Sequence, residues 1–238
     1  WENPKEKIKK EPLLKHLPCK QLIHPWAYQR LFRVQPSIWS GIYQRAFLEQ
    51  RQIAFLETPG AAYQDTSFTF KVLATSKRMV LLPDALLYYR QDNGGSSVHS
   101  AEKAEFVRRE YQEINAFLEQ SKKYQVLYKI RNQAMFHTYL WNYVRLKPDL
   151  CADFLQQMRQ DFLRLQESGQ LELQEFIKTD KKMLQLLLEQ PQEFLQREKR
   201  LMQLRGKIPS HAYRALLIGC IAGIGCMVQA IVKRLMRK

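Results

Sequence analysis

The segment YQDTSF, residues 63–68, places an acid between an amide and a hydroxyl, directly before an apolar stretch with helical spacing. Phe68, Val72 and Leu73 recur on one face of that stretch, so a helix is predicted to begin at Asp65. An aspartate at this position commonly caps the helix. It can also act as a general base, because the helix dipole favours the ionised carboxylate near neutral pH. One oxygen can cap while the other faces a substrate, so the two roles are compatible.

Further residues that could take part in catalysis or binding flank Asp65 in a fixed order. The segment PSIWSGIY precedes it, and the segments LLYYR and QDNGGSS follow it. These segments contain Trp39, Tyr43, Arg90, Ser96 and Ser97. Taken one at a time, each has an ordinary explanation, such as a core aromatic or a surface salt bridge. The ordered combination is the more specific signal.

Residues 1–100 are predicted to be mixed α/β. Composition favours strands over residues 27–34, 78–82 and 85–90, and periodicity favours helices over residues 36–50 and 65–76. Gly41 weakens the first of these helices. The glycine- and serine-rich segment 91–100 is predicted to be a loop, and a boundary is placed near residue 100.

Residues 101–204 hold almost no strand signal and are predicted to form a helical bundle. One apolar helix face comprises Val107, Tyr111, Ile114 and Leu118. A second comprises Phe154, Met158, Phe162 and Leu165, in a helix that ends before Gly169. A third helix is interrupted at Pro191.

The C-terminal region carries an apolar run, residues 215–232, with Gln229 as its one polar side chain. Arg214 precedes the run, and four basic residues follow it, namely Lys233, Arg234, Arg237 and Lys238. As a helix the run would extend roughly 27 Å, at the short edge of a bilayer span. It could cross a membrane, lie on its surface, or pack as the last helix of the bundle. Its basic flanks favour membrane contact.

The excess positive charge is concentrated at the ends of the chain, chiefly in its C-terminal segment, and is not spread evenly along it. The chain has 238 residues and a net charge of +15, yet residues 34–198 carry 21 basic and 20 acidic side chains. Residues 199–238 carry nine basic and no acidic side chains. The four cysteines show no metal-type spacing and are interpreted as reduced thiols of a cytosolic protein. Because the chain begins at Trp1, we expect it to be part of a longer protein.

Together, the motifs of residues 20–100 resemble the second half of the catalytic domain of family 2 glycosyltransferases, which have the GT-A fold. They are similar to the pattern of bacterial enzymes that build capsular, wall and other surface glycans. The resemblance implies a partial GT-A-type domain over residues 1–100, a helical accessory region over 101–210, and an apolar, membrane-associating helix over 211–238. The expected fold class is therefore mixed α/β and mostly helical.

The resemblance also implies roles for the candidate residues. Asp65 would be the general base of an inverting hexosyltransferase, with Gln64 as the variant first member of an acid pair. Trp39 and Tyr43 would form an apolar wall beside the sugar or the acceptor. The donor diphosphate would be contacted by Arg90, Ser96 and Ser97.

The family binds its nucleotide through an N-terminal half that ends in a DxD motif holding Mg²⁺ or Mn²⁺. No DxD occurs in this chain, so the metal ligands are expected outside it and none is assigned here. We expect this chain to be inactive alone. The implied partners are a nucleotide-sugar donor, a glycan or lipid-linked acceptor and an anionic membrane, without nucleic acid. The implied location is the cytoplasmic side of the cell membrane, at its inner face.

Two alternatives remain open. The chain could be a basic helical module that binds nucleic acid, which retention on DNA-cellulose at moderate salt would favour. It could also be a degenerate transferase remnant that acts as a partner subunit. Recovery of activity on adding an N-terminal half would separate the enzyme from that remnant. The donor sugar, the acceptor and the linkage are not readable from the residues.

Overall fold

A computed structural model of the protein describes residues 14–58, 63–87 and 104–223, and over these ranges the chain is mostly helical with one two-stranded sheet. The chain forms two compact units, Trp1–Arg131 and Asn132–Lys238. The division falls within a helix, Tyr128–Tyr143. The boundary predicted near residue 100 lies outside the described residues, so the roles assigned to the three predicted regions stay predictions.

The first unit contains two short strands and three complete helices among its described residues. These are β1 (Leu22–Ile23), α1 (Arg45–Gln50), α2 (Asp65–Thr75), β2 (Met79–Val80) and α3 (Ala104–Glu119). The strands are antiparallel, with Leu22 opposite Val80. Helix α4 (Tyr128–Tyr143) begins in this unit.

Helices α2 and α3 pack against each other and supply much of the core of the first unit. Helix α2 begins at Asp65, which confirms the predicted start. The predicted apolar face of α3 is confirmed as well, because Val107, Tyr111, Ile114 and Leu118 are all buried. Phe68 and Leu73 of α2 are also buried. Burial of these apolar side chains is the main force that holds the two helices together.

The strand predicted over residues 27–34 is wrong, because this segment forms single 3₁₀ turns at Pro25–Ala27 and Gln29–Arg33. Leu31 and Phe32 are neighbours in sequence and both are buried. A strand directs neighbouring side chains to opposite faces, whereas a tight turn allows both to reach one core. The apolar, β-branched and aromatic composition of residues 27–34 therefore indicates that the segment carries buried side chains, not that it is a strand.

The helix predicted over residues 36–50 is interrupted. A 3₁₀ turn at Ile38–Ser40 ends at Gly41, whose backbone is extended, and α1 begins only at Arg45. The side chain of Tyr43 folds over Gly41, so that a Cβ at residue 41 would lie 2.7 Å from the Tyr43 hydroxyl oxygen. Glycine at this position leaves the space that the tyrosine occupies.

Of the two strands predicted over residues 78–82 and 85–90, the structure contains only β2 at Met79–Val80. Its partner β1 is also two residues long, which limits the ladder. Pro83 follows shortly and has no N–H to extend the pairing. Residues 85–87 are not in a strand, and residues 88–90 lie outside the described residues.

The second unit is helical throughout its described residues. After α4 come α5 (Pro148–Glu167), α6 (Lys178–Glu189), α7 (Pro191–Lys199) and α8 (Ser210–Ala222). The predicted face of α5 is confirmed, since Phe154, Met158, Phe162 and Leu165 are buried. Gly169 follows with φ 70°, and Pro191 separates α6 from α7, both as predicted.

Helix α8 covers the first half of the predicted apolar run. Leu216, Leu217 and Ile221 are buried, and the helix packs against α6 and α7. It ends at Ala222 with Gly223 in the left-handed conformation, so one continuous helix over residues 215–232 is not present. Within residues 14–58, 63–87 and 104–223, no helix is both long and apolar enough to cross a membrane.

Two basic side chains satisfy carbonyl groups at the end of α8. Arg197 Nη1 donates to the carbonyl oxygen of Ile221 at 2.9 Å, and Lys182 Nζ donates to that of Ala222 at 3.2 Å. Cations at a helix C-terminus also complement its partial negative charge. The end at Ala222 is therefore built by partners on two other helices. Residues 224–238, with the four basic residues of the tail, lie outside the described residues.

Candidate active site at the start of helix α2

Asp65 is the first residue of α2, and the chain enters the helix through a tight turn. Tyr63 has a positive φ of 63°, a left-handed conformation that non-glycine residues seldom adopt. Its carbonyl oxygen accepts the Thr66 N–H at 2.9 Å. Backbone strain of this kind is often found at functional sites. Here it sets the direction in which the first residues of α2 leave the loop.

The Asp65 carboxyl group is partly buried, and burial raises its pKa to about 6. A hydrogen bond from its own backbone amide acts in the opposite direction but is the smaller effect. The sequence had suggested that the helix dipole would dominate, so the direction of the shift is the reverse of that expectation. Most of the carboxyl groups are still ionised at pH 7. A base whose pKa lies close to the working pH is well suited to proton transfer.

A second carboxyl group, that of Glu110 on α3, lies at the same turn of α2. The Ser67 backbone N–H donates to Glu110 Oε2 at 2.8 Å. Glu110 is completely buried, and its Oε1 has no hydrogen-bond partner among the described residues. Burial raises the pKa of Glu110; its contacts with Ser67 oppose this, and the charge of Asp65 raises the pKa further. The start of α2 therefore brings together two acids.

Lys71, one turn further along α2, is bound from two sides. Its Nζ lies 2.9 Å from Glu113 Oε1 on α3 and 3.3 Å from the carbonyl oxygen of Ala54. The lysine side chain is only 8% exposed. Because Glu110 and Glu113 bind Ser67 and Lys71 respectively, α3 fixes both the position and the rotation of the first half of α2.

Tyr43 is the predicted wall residue that the structure brings into reach of Asp65. Its ring packs edge-on against the ring of Phe68, with 5.2 Å between centroids. The ring of Phe55 stacks on Phe68 as well, with 4.3 Å between centroids. Burial raises the pKa of Tyr43, and the charge of Asp65 raises it further. Trp39 lies in the preceding 3₁₀ turn and is 49% exposed.

Gln64 joins this site to a neighbouring groove. Its Nε2 donates to Thr58 Oγ1 at 3.3 Å, and Thr58 lies in the wall of an open groove of about 380 Å³. The groove lies between residues 56–58 and α3, and its surface is about equally polar and apolar. Its walls are formed by Leu56, Glu57, Thr58, Arg109, Gln112 and Glu113.

The remaining predicted site residues, Arg90, Ser96 and Ser97, lie outside the described residues, so their assignment to the donor diphosphate stays a prediction. Among the residues that the structure describes, no group of three or more His, Cys, Asp or Glu side chains could hold a metal ion. The Asp65 and Glu110 pair alone does not supply the ligand set that Mg²⁺ or Mn²⁺ requires.

Glu110 was missed in the sequence, although a signal for it exists. It lies three residues after Val107 and four before Ile114, on the buried face of an amphipathic helix. An acid at such a position is unusual unless it has a partner or a function. Its partner, the Ser67 amide, is 43 residues away and follows no local pattern.

A different buried carboxylate lies in the second unit, where Glu198 of α7 accepts hydrogen bonds from several groups. The Tyr213 hydroxyl donates to Glu198 Oε1 at 2.9 Å, and Arg205 and the Tyr143 hydroxyl also bind the carboxylate. Arg205 Nη1 donates to the carbonyl oxygens of Tyr143 and Leu146 at 2.7 and 3.2 Å. The guanidinium group also lies over the rings of Tyr143 and Tyr213. We call these four side chains the Glu198 cluster.

No family model, no curated protein and no solved structure matches this chain. The motifs quoted above and the geometry at the start of α2 are therefore the basis for a functional assignment.

Proposed function

We propose that this chain contributes the acceptor side of a glycosyltransferase, with Asp65 as its general base. One observation carries the proposal: a partly buried aspartate at the first position of α2, with a pKa of about 6. The ordered motifs around Asp65 add support through their resemblance to family 2 enzymes. The partial GT-A fold belongs to the same proposal.

The reaction requires a base because an acceptor hydroxyl is a poor nucleophile until its proton is removed. Asp65 takes that proton as the hydroxyl oxygen forms a bond to the anomeric carbon of the donor sugar. The bond from that carbon to the diphosphate oxygen breaks, and the nucleoside diphosphate leaves with the electron pair. We assign stabilisation of the leaving group to Arg90, because a guanidinium binds phosphate oxygens in pairs. The described residues do not fit a metal ion, and no step is assigned to one.

Exposure distinguishes Asp65 from the neighbouring acid as the base. Glu110 is completely buried, so a substrate hydroxyl cannot reach it without opening the α2–α3 contact. Asp65 is partly exposed and lies in the same turn as Gln64, whose amide contacts the groove at Thr58. The groove offers carboxylate, amide, hydroxyl and guanidinium groups to the hydroxyl groups of a sugar.

The test compares Asp65→Asn with wild type in the full natural polypeptide that contains residues 1–238. Nucleoside diphosphate release is measured with a panel of UDP- and GDP-sugars and a total lipid extract as acceptor. The variant should lose roughly 10²–10⁴-fold in kcat, while KM for the donor stays the same. In wild type, kcat should rise with pH, reach half its maximum near pH 6 and level off above about pH 7, because the base must be ionised.

Asp84→Asn is the matched control, since Asp84 is an exposed aspartate of the first unit, 3.9 Å from Lys20 Nζ. It should retain wild-type kinetics. If Asp65→Asn turns over donor as fast as Asp84→Asn, Asp65 is not the base and the assignment fails.

We also propose that residues 224–238 bring the protein to the inner face of the cell membrane. This segment holds the remaining apolar residues of the run and four basic residues. Each basic side chain contributes about 1 kcal/mol at an anionic surface. A protein held at the membrane would lie close to a lipid-linked acceptor, so we propose an acceptor of that kind.

Truncation at Gly223 tests this membrane proposal. The protein of residues 1–223 should keep its melting temperature, because α8 and its caps are intact, and should no longer sediment with vesicles that contain phosphatidylglycerol. The protein of residues 1–209 lacks the buried helix α8, and its melting temperature should be several degrees lower. Vesicle binding by residues 1–223 equal to that of the full chain would contradict the tether.

A further inference from the structure

The two carboxyl groups at the start of α2 have unequal surroundings. Glu110 is completely buried, and its Oε2 accepts a hydrogen bond from the Ser67 N–H. Its Oε1 and the Ser67 hydroxyl are both buried and have no hydrogen-bond partner among the described residues. Asp65, two residues before Ser67, is partly exposed. Water can therefore solvate a charge on Asp65 better than a charge on Glu110.

Among the described residues, the charged groups that act on Glu110 do not neutralise a second negative charge. On α2 the nearby cation is Lys71, which already forms an ion pair with Glu113 of α3. From the segment before α1, Asp65 interacts with the Tyr43 hydroxyl, which is neutral near pH 7. Two carboxylates at one site repel each other, so full ionisation of both is unfavourable.

We propose that Asp65 and Glu110 form a carboxyl pair that keeps one proton near neutral pH, with the proton on Glu110 and the charge on Asp65. The proton lies on Oε1, because Oε2 accepts the Ser67 amide and Oε1 has no hydrogen-bond partner among the described residues. Glu110 is then a positioning residue: it holds the start of α2 without adding a charge that would compete with Asp65. This role in catalysis rests on the proposed function, whereas the protonation of Glu110 does not.

Carboxyl-carbon NMR of the full chain, labelled with ¹³C in Asp and Glu side chains, tests the pair directly. Asp65→Asn and Glu110→Gln spectra assign the two signals. At pH 7, the Glu110 carbon should show the shift of a protonated acid, and the Asp65 carbon that of a carboxylate. In Asp65→Asn, the titration midpoint of Glu110 should fall, because the neighbouring charge is gone. Asp84→Asn should leave the midpoint unchanged.

Two further variants separate positioning from simple packing. Glu110→Gln is a neutral isostere that can still accept the Ser67 N–H, so kcat should stay within about threefold of wild type and its rise near pH 6 should persist. Glu110→Leu fills the space but leaves the amide without an acceptor, so kcat should fall at least tenfold with a lower melting temperature.

The possible failures are distinguishable. An ionised Glu110 at pH 7, or a Glu110 midpoint that does not change in Asp65→Asn, overturns the protonated Glu110 whatever the kinetics show. Loss of activity in Glu110→Gln equal to that in Glu110→Leu overturns the neutral positioning role. Normal turnover by Asp65→Asn with an intact pair in the spectra instead refutes the proposed function alone.

Discussion

The two units each bury a glutamate almost completely, yet they treat its charge differently. Glu198 in the second unit is bound by the Arg205 guanidinium and by two tyrosine hydroxyls. Glu110 in the first unit has one backbone N–H and an oxygen without a partner in the described structure. A buried charge needs both a counter-charge and hydrogen bonds to offset its desolvation. Glu198 has these, and Glu110 does not.

This difference separates a structural carboxylate from a candidate functional one. The Glu198 cluster joins α7, α8 and the segment between them to α4, and it leaves no site for a ligand on the carboxylate. At the start of α2, by contrast, the protein tolerates two adjacent acids and raises the pKa of both. Such incompletely compensated groups are more common at functional sites than in structural cores.

Loss of Arg205 should have the largest effect on stability. Arg205→Met leaves Glu198 buried without its counter-charge and should lower the free energy of unfolding by about 3–5 kcal/mol. Urea denaturation measures the change, and Arg200→Met is the control because Arg200 is exposed. The double variant Arg205→Met with Glu198→Leu should recover part of the loss, since the unpaired charge is gone. A loss below 1 kcal/mol in Arg205→Met would show that the cluster is not a stabilising ion pair.

In the first unit, the free energy of unfolding should fall as the pH rises, because Asp65 is destabilised in its ionised form. The pKa of Asp65 is about 6 in the folded protein and near 3.8 in the unfolded chain, so the folded state binds the proton more tightly. The resulting stabilisation is present below about pH 4 and is lost as the pH rises to about 6. The loss is at most about 3 kcal/mol, and partial exposure reduces it.

Urea denaturation of wild type and Asp65→Asn between pH 4 and pH 7 isolates this contribution. The difference in unfolding free energy between the two proteins should change in favour of the variant as the pH rises. A difference that is constant across this range would mean that Asp65 is not destabilised by burial.

Removing single hydroxyl groups should give the smallest effects and the most direct comparison of the two units. Tyr213→Phe loses a hydrogen bond to the buried Glu198 and should cost about 2 kcal/mol. Tyr43→Phe removes a half-buried hydroxyl beside Asp65 and should change stability by less than about 0.5 kcal/mol. Thermal unfolding of the two variants under one buffer condition measures both. Equal costs would remove the contrast between the units.

The fold could be predicted from sequence wherever one apolar face recurs with a helical period. The faces of α3 and α5, the start of α2 at Asp65 and the break at Pro191 all follow from local spacing. Local composition was misleading at residues 27–34, where buried aromatic and branched side chains belong to turns. The end of α8 depends on Arg197 and Lys182, which approach from other helices.

The site was predictable only in part, for the same reason. Asp65 could be selected from its place before an apolar helix. Tyr43 was predicted as a wall residue, and the structure places it near Asp65. The pairing with Glu110 depends on the docking of α3, which no local motif encodes. The direction of the Asp65 pKa shift depends on burial, which the local sequence around Asp65 does not specify.

The bonds from Ser67 and Lys71 to α3 have a consequence for local unfolding. If α3 detaches transiently while α2 persists, the Ser67 amide loses its acceptor and exchanges its proton with solvent. In the same opening, Asp65 becomes hydrated and its pKa returns toward that of an ordinary aspartate. Hydrogen exchange at Ser67 therefore reports how often the basic character of Asp65 is lost.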